Sequence, residues 1–275
     1  MAASKRTCVF CGGVPLTGEH LFPDWMNDHL VFPPGHVLEA RHTERGKRRV
    51  HGFNDKAKVC CESCNTGWMS NVEGNAVPVF KRLFSATAPV DLSADERRAL
   101  SVWAYNRALV LEAAHPKKRI IKEDLHEMFY KSRLPIPDFS AVWAFAYQGE
   151  AHEGFFDRTG LLCMNLGELL GDPTVDAPPV LFAMYTIVAL GVGVQVILPS
   201  SGHMFPDPQD LQFRTDLPRL QIWPPPAGPL QSFPSGNMGY DDQALAQLCH
   251  HNAPLGFMAT TSLKESHNPP DAPSR

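Results

Sequence analysis

Five of the seven cysteines lie in the first quarter of the chain, and four of them form two CxxC pairs. The pairs are Cys8 with Cys11 and Cys61 with Cys64. At this spacing two thiolates from one tight turn can reach the same tetrahedral Zn²⁺, and two such turns complete a closed structural site. Cys60 is an alternative to Cys61, but three residues instead of two would then lie between it and Cys64. The spacing therefore predicts one zinc ion bound by Cys8, Cys11, Cys61 and Cys64.

Polar residues follow each cysteine pair in a recognisable arrangement. Glu19 and His20 come after the first pair, Pro23 lies three residues beyond His20, and Asn65 directly follows the second pair. A CxxC pair, an acidic–His dipeptide with this proline, and a CxxC-Asn sequence together resemble the HNH endonucleases, which belong to the ββα-metal or His-Me finger nucleases. The resemblance covers roughly residues 5–80.

The resemblance implies a role for each of these residues. His20 would be the general base, because an imidazole with a pKa of about 6.5 is mostly neutral at pH 7 and can accept a proton from water. Glu19 and Asn65 would supply oxygen ligands to a catalytic Mg²⁺ or Mn²⁺ ion. Asn54 is the candidate for the asparagine that supports the base in the family. The implied activity is the hydrolysis of phosphodiester bonds in DNA, with a purely structural zinc ion.

Charge is distributed unevenly along the chain of 275 residues, whose formal net charge is -4. Residues 1–60 contain nine Lys and Arg and six Asp and Glu, a net charge of +3, whereas the remainder has a net charge of -7. The segment from Arg41 to Arg49 holds five of the basic residues around Gly46. A hairpin tip of this kind can lie along a phosphate backbone, so we expect salt-sensitive DNA contact with little base reading. An ordinary charged turn is the alternative.

Two other interpretations of the N-terminal region remain open. In the first, the region is a non-catalytic zinc-knuckle module that binds nucleic acid or protein, and the Glu19–His20 pair is incidental. In the second, the region is a metal-stabilised dimerisation element. Phe22, Trp25 and Trp68 are expected to be core aromatics of the zinc module. The remaining candidates show no metal-ligand spacing to one another and are expected to be structural or incidental: Cys163, Cys249, His250 and His251.

The composition divides the chain into three parts and predicts an α+β fold. Residues 1–85 are expected to form the zinc-stabilised ββα module, and residues 86–263 a larger α+β accessory domain with antiparallel strands. Residues 264–275 contain three prolines and little apolar content, which is typical of a flexible tail. The accessory domain could recognise a target, an unknown partner or a ligand, or it could brace the module.

Two helices are predicted at the start of the accessory domain. Ser93 and Glu96 form a capping box, and apolar residues then recur at intervals of three and four, which predicts an amphipathic helix over about 94–114. A shorter helix is expected over about 122–131. Strands are expected at about 141–147 and 155–164 from their β-branched and aromatic content.

Residues 180–198 form a run of 19 residues without a formal charge. Such a run could cross a membrane. Gly191, Gly193 and Gln195 interrupt it and no Lys or Arg flanks it, so two buried strands joined near Leu190 are favoured. Proline-rich loops over 199–239 and a closing helix over 242–250 complete the predicted elements.

The sequence also excludes several function classes. No apolar segment follows the basic N-terminal residues, which favours a protein of the reducing cytoplasm over a secreted one. Neither a GxGxxG nor a GxxxxGK sequence is present, so nucleotide-cofactor chemistry has no support.

Overall fold

In the computed structural model of the protein, helices combine with antiparallel sheets, as predicted. Asn54 and most of the C-terminal tail lie outside the described residues. The structure describes residues 6–29, 38–42, 46–50, 56–114, 121, 123–135, 140–149, 154–164, 180–199, 219–225, 232–233, 239–245 and 258–265.

The N-terminal region forms a strand–strand–helix unit with a hairpin inserted between its two strands. The first and last strands pair antiparallel, and the inserted hairpin coincides with the basic segment predicted to form one. A helical turn over Cys64–Met69, kinked at Gly67, then leads into the helix. The elements are β1 (Leu16–His20), β2 (Leu38–His42), β3 (Gly46–Val50), β4 (Lys56–Cys61) and α1 (Ser70–Phe84), with a short 3-10 helix at Asp24–His29.

The rest of the chain supplies two further helices of ten residues or more and eight strands within the described ranges. Both predicted helices are present, and the capping box forms as expected: the Ser93 N–H donates to Glu96 Oε2 at 2.8 Å and the Glu96 N–H to Ser93 Oγ at 3.3 Å. The elements are β5 (Val90–Asp91), α2 (Ala94–Ala114), α3 (Glu123–Ser132), β6 (Ala141–Ala146), β7 (Gly154–Met164), β8 (Val180–Ala189), β9 (Val192–Pro199), β10 (Leu220–Trp223), β11 (Ser232–Phe233) and β12 (Met258–Glu265).

Eight strands form one antiparallel sheet in the order β10-β6-β9-β8-β7-β12-β2-β3. The uncharged run forms the hairpin of β8 and β9, as predicted. Leu190 has φ 52° and Gly191 has φ 81°, the left-handed conformation that a two-residue hairpin turn requires. No helix in the described part of the chain is long and apolar enough to cross a bilayer.

The C-terminal region contains strands that the sequence did not predict. β10 and β11 lie within the segment expected to be loops, although both are short, as that expectation allowed. β12 includes Lys264 and Glu265, which were assigned to the tail, and it pairs with β2 of the basic hairpin. Of the predicted closing helix, residues 242–245 are helical and 246–250 lie outside the described residues.

The prediction that α2 is amphipathic is wrong, because every side chain from residue 100 to residue 113 is buried. The helix contacts the N-terminal region through α1 and β4, and the large sheet through β6, β9 and β10. Small and polar residues therefore occupy the positions where an amphipathic helix would face water.

Buried polar contacts attach α2 to the sheet. The Ser101 hydroxyl donates to the carbonyl oxygen of Ile222 at 3.1 Å, and the Glu112 carboxylate accepts a hydrogen bond from the Tyr185 hydroxyl. Phe10 near the first cysteine pair, Trp103 of α2 and Val196 of β9 all belong to one hydrophobic cluster. The N-terminal region and the large sheet therefore share a continuous core, with α2 between them.

Candidate functional site

The four cysteines of the two CxxC pairs come together as predicted. Their Sγ atoms all lie within 4.8 Å of one another, with Cys8 3.8 Å from Cys64, and Cys11 3.5 Å from both Cys61 and Cys64. Four sulfur atoms about 2.3 Å from a tetrahedral Zn²⁺ would be about 3.8 Å apart. The cluster therefore has the dimensions of a four-thiolate metal site.

Two glycines shape the first cysteine turn. Gly12 has φ 73°, and its N–H donates to the carbonyl oxygen of Cys8 at 2.9 Å. The N–H of Gly13 donates to Cys11 Sγ at 3.4 Å. A Cβ atom on Gly13 would lie 3.2 Å from the sulfur of Cys11 and 3.3 Å from that of Cys61. A side chain at this position would therefore crowd the cluster.

The structure distinguishes Cys61 from its neighbour Cys60. Cys61 Sγ is hydrogen-bonded to Ser63 Oγ at 3.1 Å. Burial raises the pKa of Cys61, but the Ser63 hydroxyl and the N–H of Cys64 outweigh it and lower the pKa to about 6. Cys60 lies outside the cluster and is fully buried, and burial, with the charge of Glu19, raises its pKa to about 12. Cys61 is therefore the member of the cluster, as the spacing predicts.

His20 is the last residue of β1 and pairs with Lys56 of β4. The residue is half-buried, and among the described residues its ring nitrogens have no hydrogen-bond partner. Burial and the nearby charge of Lys56 lower its pKa from the ordinary value of 6.5. The imidazole is therefore neutral at pH 7 and can accept a proton.

Asn65 begins the turn after the second cysteine pair and contacts β1 directly. Its Nδ2 donates to Thr17 Oγ1 at 3.2 Å and lies 3.5 Å from the carbonyl oxygen of Gly18. No hydrogen bond to its Oδ1 occurs within the described part of the chain. The contact brings Asn65 next to the strand that carries Glu19 and His20.

Glu19 forms an ion pair with Arg107 of α2. Arg107 Nη2 lies 2.5 Å from Glu19 Oε1 and 3.4 Å from Glu73 Oε1, and Nη1 donates to the carbonyl oxygen of His20 at 2.6 Å. The exposed fraction is 0% for the Arg107 side chain and 5% for that of Glu19. Among the described residues Glu19 Oε2 carries no hydrogen bond. Arg107 thus binds one carboxylate oxygen, and the other has no hydrogen-bond partner among the residues that the structure describes.

The charges of Glu19, Glu73 and Arg107 affect the pKa values of Arg107 and Glu73. Burial lowers the pKa of Arg107, but the carboxylates of Glu19 and Glu73 outweigh it, so its pKa is raised. Burial raises the pKa of Glu73, although Arg107 opposes the change. Arg107 therefore remains a cation between two acidic side chains.

Of the three charged residues Glu19, Glu73 and Arg107, the sequence motifs identify only Glu19. The available signal was the position of Arg107 within the apolar run of α2, because a buried charge needs a partner of opposite charge. The partner itself could not be read from the sequence, since 88 residues separate Arg107 from Glu19.

The aromatic residues near the cysteines pack against one another and the core, as predicted. Trp68 makes an edge contact with Phe10, with 5.2 Å between ring centroids, and Trp25 lies 5.7 Å from Phe80. Phe22 is buried. The guanidinium of Arg133 covers the ring of Trp68 at 4.3 Å.

The described residues include only part of the predicted site. Asn54 and the tip of the basic hairpin, residues 43–45, lie outside the described residues. In the described ranges, the four cysteines are the one group of three or more Cys, His, Asp or Glu close enough to share a metal ion. Glu19 belongs to no such group within the described residues.

No protein-family model matches the chain, and neither a curated protein nor a solved structure matches it. The resemblance to HNH endonucleases therefore rests on the chain's own residues: the two cysteine pairs, Glu19, His20 and Asn65.

Proposed function

We propose that the protein is a metal-dependent endonuclease that hydrolyses phosphodiester bonds of DNA through an HNH-type site. The observation that carries the proposal is the contact of Asn65 with Thr17 and Gly18. Through this contact the residue after the second cysteine pair lies against the strand that ends in Glu19 and His20. The order of β1, β4 and α1 also agrees with the ββα arrangement of such sites.

Zn²⁺ is the ion proposed for the cysteine cluster, and its role would be structural. Four thiolates fill a tetrahedral site, which leaves no open position for water or substrate. The cluster joins the turn before β1 to the turn before α1. Zinc binding would therefore hold the strand and the helix that carry the other motif residues.

The proposed chemical step uses His20 as the general base. Its neutral imidazole accepts a proton from a water molecule, whose oxygen forms a bond to phosphorus while the bond from phosphorus to a sugar oxygen breaks. The lowered pKa of His20 favours the neutral form that this step needs. The ring nitrogens of His20 form no hydrogen bond with other described residues, so one of them can accept the proton.

Glu19 and Asn65 would hold the catalytic divalent ion. Glu19 Oε2 and Asn65 Oδ1 have no hydrogen-bond partner in the described part of the chain, and oxygen is the ligand atom that Mg²⁺ and Mn²⁺ prefer. When bound, such an ion neutralises negative charge on the phosphate and on the departing oxygen. Because the side chain of Glu19 is only 5% exposed, little of its surface is open to a divalent ion from solvent.

The basic hairpin of β2 and β3 is the proposed DNA contact. Arg41, Lys47, Arg48 and Arg49 lie on its two paired strands. Phosphate contacts of this type give affinity without sequence preference and weaken as salt rises.

The ion pair of Glu19 with Arg107 favours the second candidate function, a non-catalytic zinc-knuckle module. A carboxylate that is buried and bound to an arginine can be explained by its structural role alone. In this alternative the basic hairpin binds nucleic acid or protein and His20 has no chemical role.

Incubation of supercoiled plasmid with the purified protein separates the two functions. The nuclease predicts nicked and linear products with Mg²⁺ or Mn²⁺, and none when EDTA is added. Zinc content measured after EDTA treatment ensures that the loss is not caused by unfolding. If folded, zinc-loaded protein cleaves nothing with either ion but retards DNA in a salt-sensitive manner, the binding module is the better account.

A further inference from the structure

The guanidinium of Arg107 contacts two consecutive residues of β1. It donates to the carbonyl oxygen of His20 at 2.6 Å and pairs with Glu19 Oε1 at 2.5 Å, using different nitrogens for the two contacts. The guanidinium group is planar and rigid, so its two nitrogens are fixed relative to each other. One side chain therefore fixes both the carboxylate of Glu19 and the backbone of His20.

The surroundings allow little movement of this group. The Arg107 side chain is 0% exposed, and Glu73 Oε1 lies 3.4 Å from the same nitrogen that contacts Glu19. A charged hydrogen bond in such an environment is strong, and releasing the arginine would leave two carboxylates without their cation. Glu19 Oε2 has no hydrogen bond within the described residues.

We infer that Arg107 is a positioning residue of the proposed site. Its guanidinium holds the carboxylate of Glu19 in place for the divalent ion and fixes the end of β1 that carries His20. The inference rests on the proposed function. Carboxylate ligands of metal ions are commonly held by a hydrogen bond to their second oxygen, and loss of that partner typically weakens metal affinity by about 10–100-fold. Because Arg107 belongs to α2, the site includes an element outside the N-terminal module.

The test compares Arg107→Lys with Arg97→Lys in protein loaded with zinc. Lysine keeps the positive charge but cannot reach two acceptors with a rigid fork. Arg97 is the matched control, because it is buried on the same helix and its Nε donates to the carbonyl oxygen of Leu92 at 3.1 Å. Mn²⁺ binding is measured directly from the loss of the free-ion signal in electron paramagnetic resonance. We expect Arg107→Lys to weaken Mn²⁺ affinity tenfold or more, and Arg97→Lys to leave it unchanged.

The outcomes separate this inference from the proposed function. Equal Mn²⁺ affinity of the wild type and Arg107→Lys would overturn the positioning role and leave the nuclease proposal intact. A wild type that binds no Mn²⁺ would overturn both.

If Arg107→Lys does not fold, a nuclear magnetic resonance titration of the wild type with Mg²⁺ decides the question. The guanidinium signals of Arg107 should shift on titration while those of Arg97 stay in place. Unshifted Arg107 signals at saturating Mg²⁺ would contradict the inference.

Discussion

Arg107 donates a hydrogen bond to the carbonyl oxygen of His20 at 2.6 Å, although 87 residues separate the two in the chain. The bond connects the end of β1 with the middle of α2. The residue proposed as the general base is therefore held in part by a helix that the sequence assigned to a separate accessory region. Together with the continuous core, this contact argues that residues 1–85 depend on α2 for their structure.

The first prediction concerns the identity of the fourth cysteine ligand. Cys61→Ala should lose the bound zinc, because three thiolates remain where four are needed and metal binding is coupled to folding. Cys60→Ala should keep about one zinc ion per chain, since the Cys60 thiol lies outside the cluster. Metal content by plasma emission spectrometry measures both. Zinc loss from Cys60→Ala but not from Cys61→Ala would reverse the assignment.

Gly13→Ala tests how closely the chain packs around the cluster. The added methyl group would lie 3.2 and 3.3 Å from two of the sulfur atoms, so zinc should be released to a chelator faster than from the wild type. Gly74→Ala is the control, because Gly74 lies in α1 and, in the described part of the chain, nothing beyond its own helix backbone lies within 4 Å of the added carbon. It should stabilise the helix by about 0.5–1 kcal/mol. Unchanged zinc release from Gly13→Ala would mean that the cluster can adjust.

Two buried tyrosines give a matched test of the contacts that hold α2. The Tyr185 hydroxyl donates to Glu112, so Tyr185→Phe should lower the free energy of unfolding by about 1–3 kcal/mol. The Tyr105 hydroxyl is buried without a partner among the described residues, and burial raises its pKa. Tyr105→Phe should therefore be neutral or stabilising. Urea unfolding measures both, and an equal loss in the two variants would argue against the Glu112 contact.

Local features of the fold could be predicted from the sequence because neighbouring residues determine them. The Ser93–Glu96 capping box set the start of α2, and Gly191 identified the turn between β8 and β9. The metal cluster could be predicted for the same reason, since each CxxC pair is one tight turn. That the two turns come together could also be predicted, because a structural zinc ion needs four ligands and each turn supplies only two.

Long-range features could not be predicted, because they depend on what packs against an element. The apolar residues of α2 recur at intervals of three and four, yet the polar residues between 100 and 113 are buried too, since the N-terminal region covers one part of the helix and the large sheet another. The motif identified Glu19 but not Arg107, which binds it from 88 residues away. Lys264 and Glu265 begin the segment whose composition is typical of a tail, yet they belong to β12, which pairs with β7 and β2.

The central claim is that His20 performs the chemistry, and a comparison of two histidines in plasmid cleavage tests it most directly. His20→Ala and His29→Ala both remove a half-buried imidazole from the N-terminal region, and both should be tested after their zinc content has been measured. His29 packs against Trp25 and Phe84 and has no proposed part in the reaction. The account predicts that His20→Ala reduces Mg²⁺- or Mn²⁺-dependent cleavage by about 10²-fold or more while His29→Ala retains it. Cleavage by His20→Ala at the wild-type rate would contradict the account.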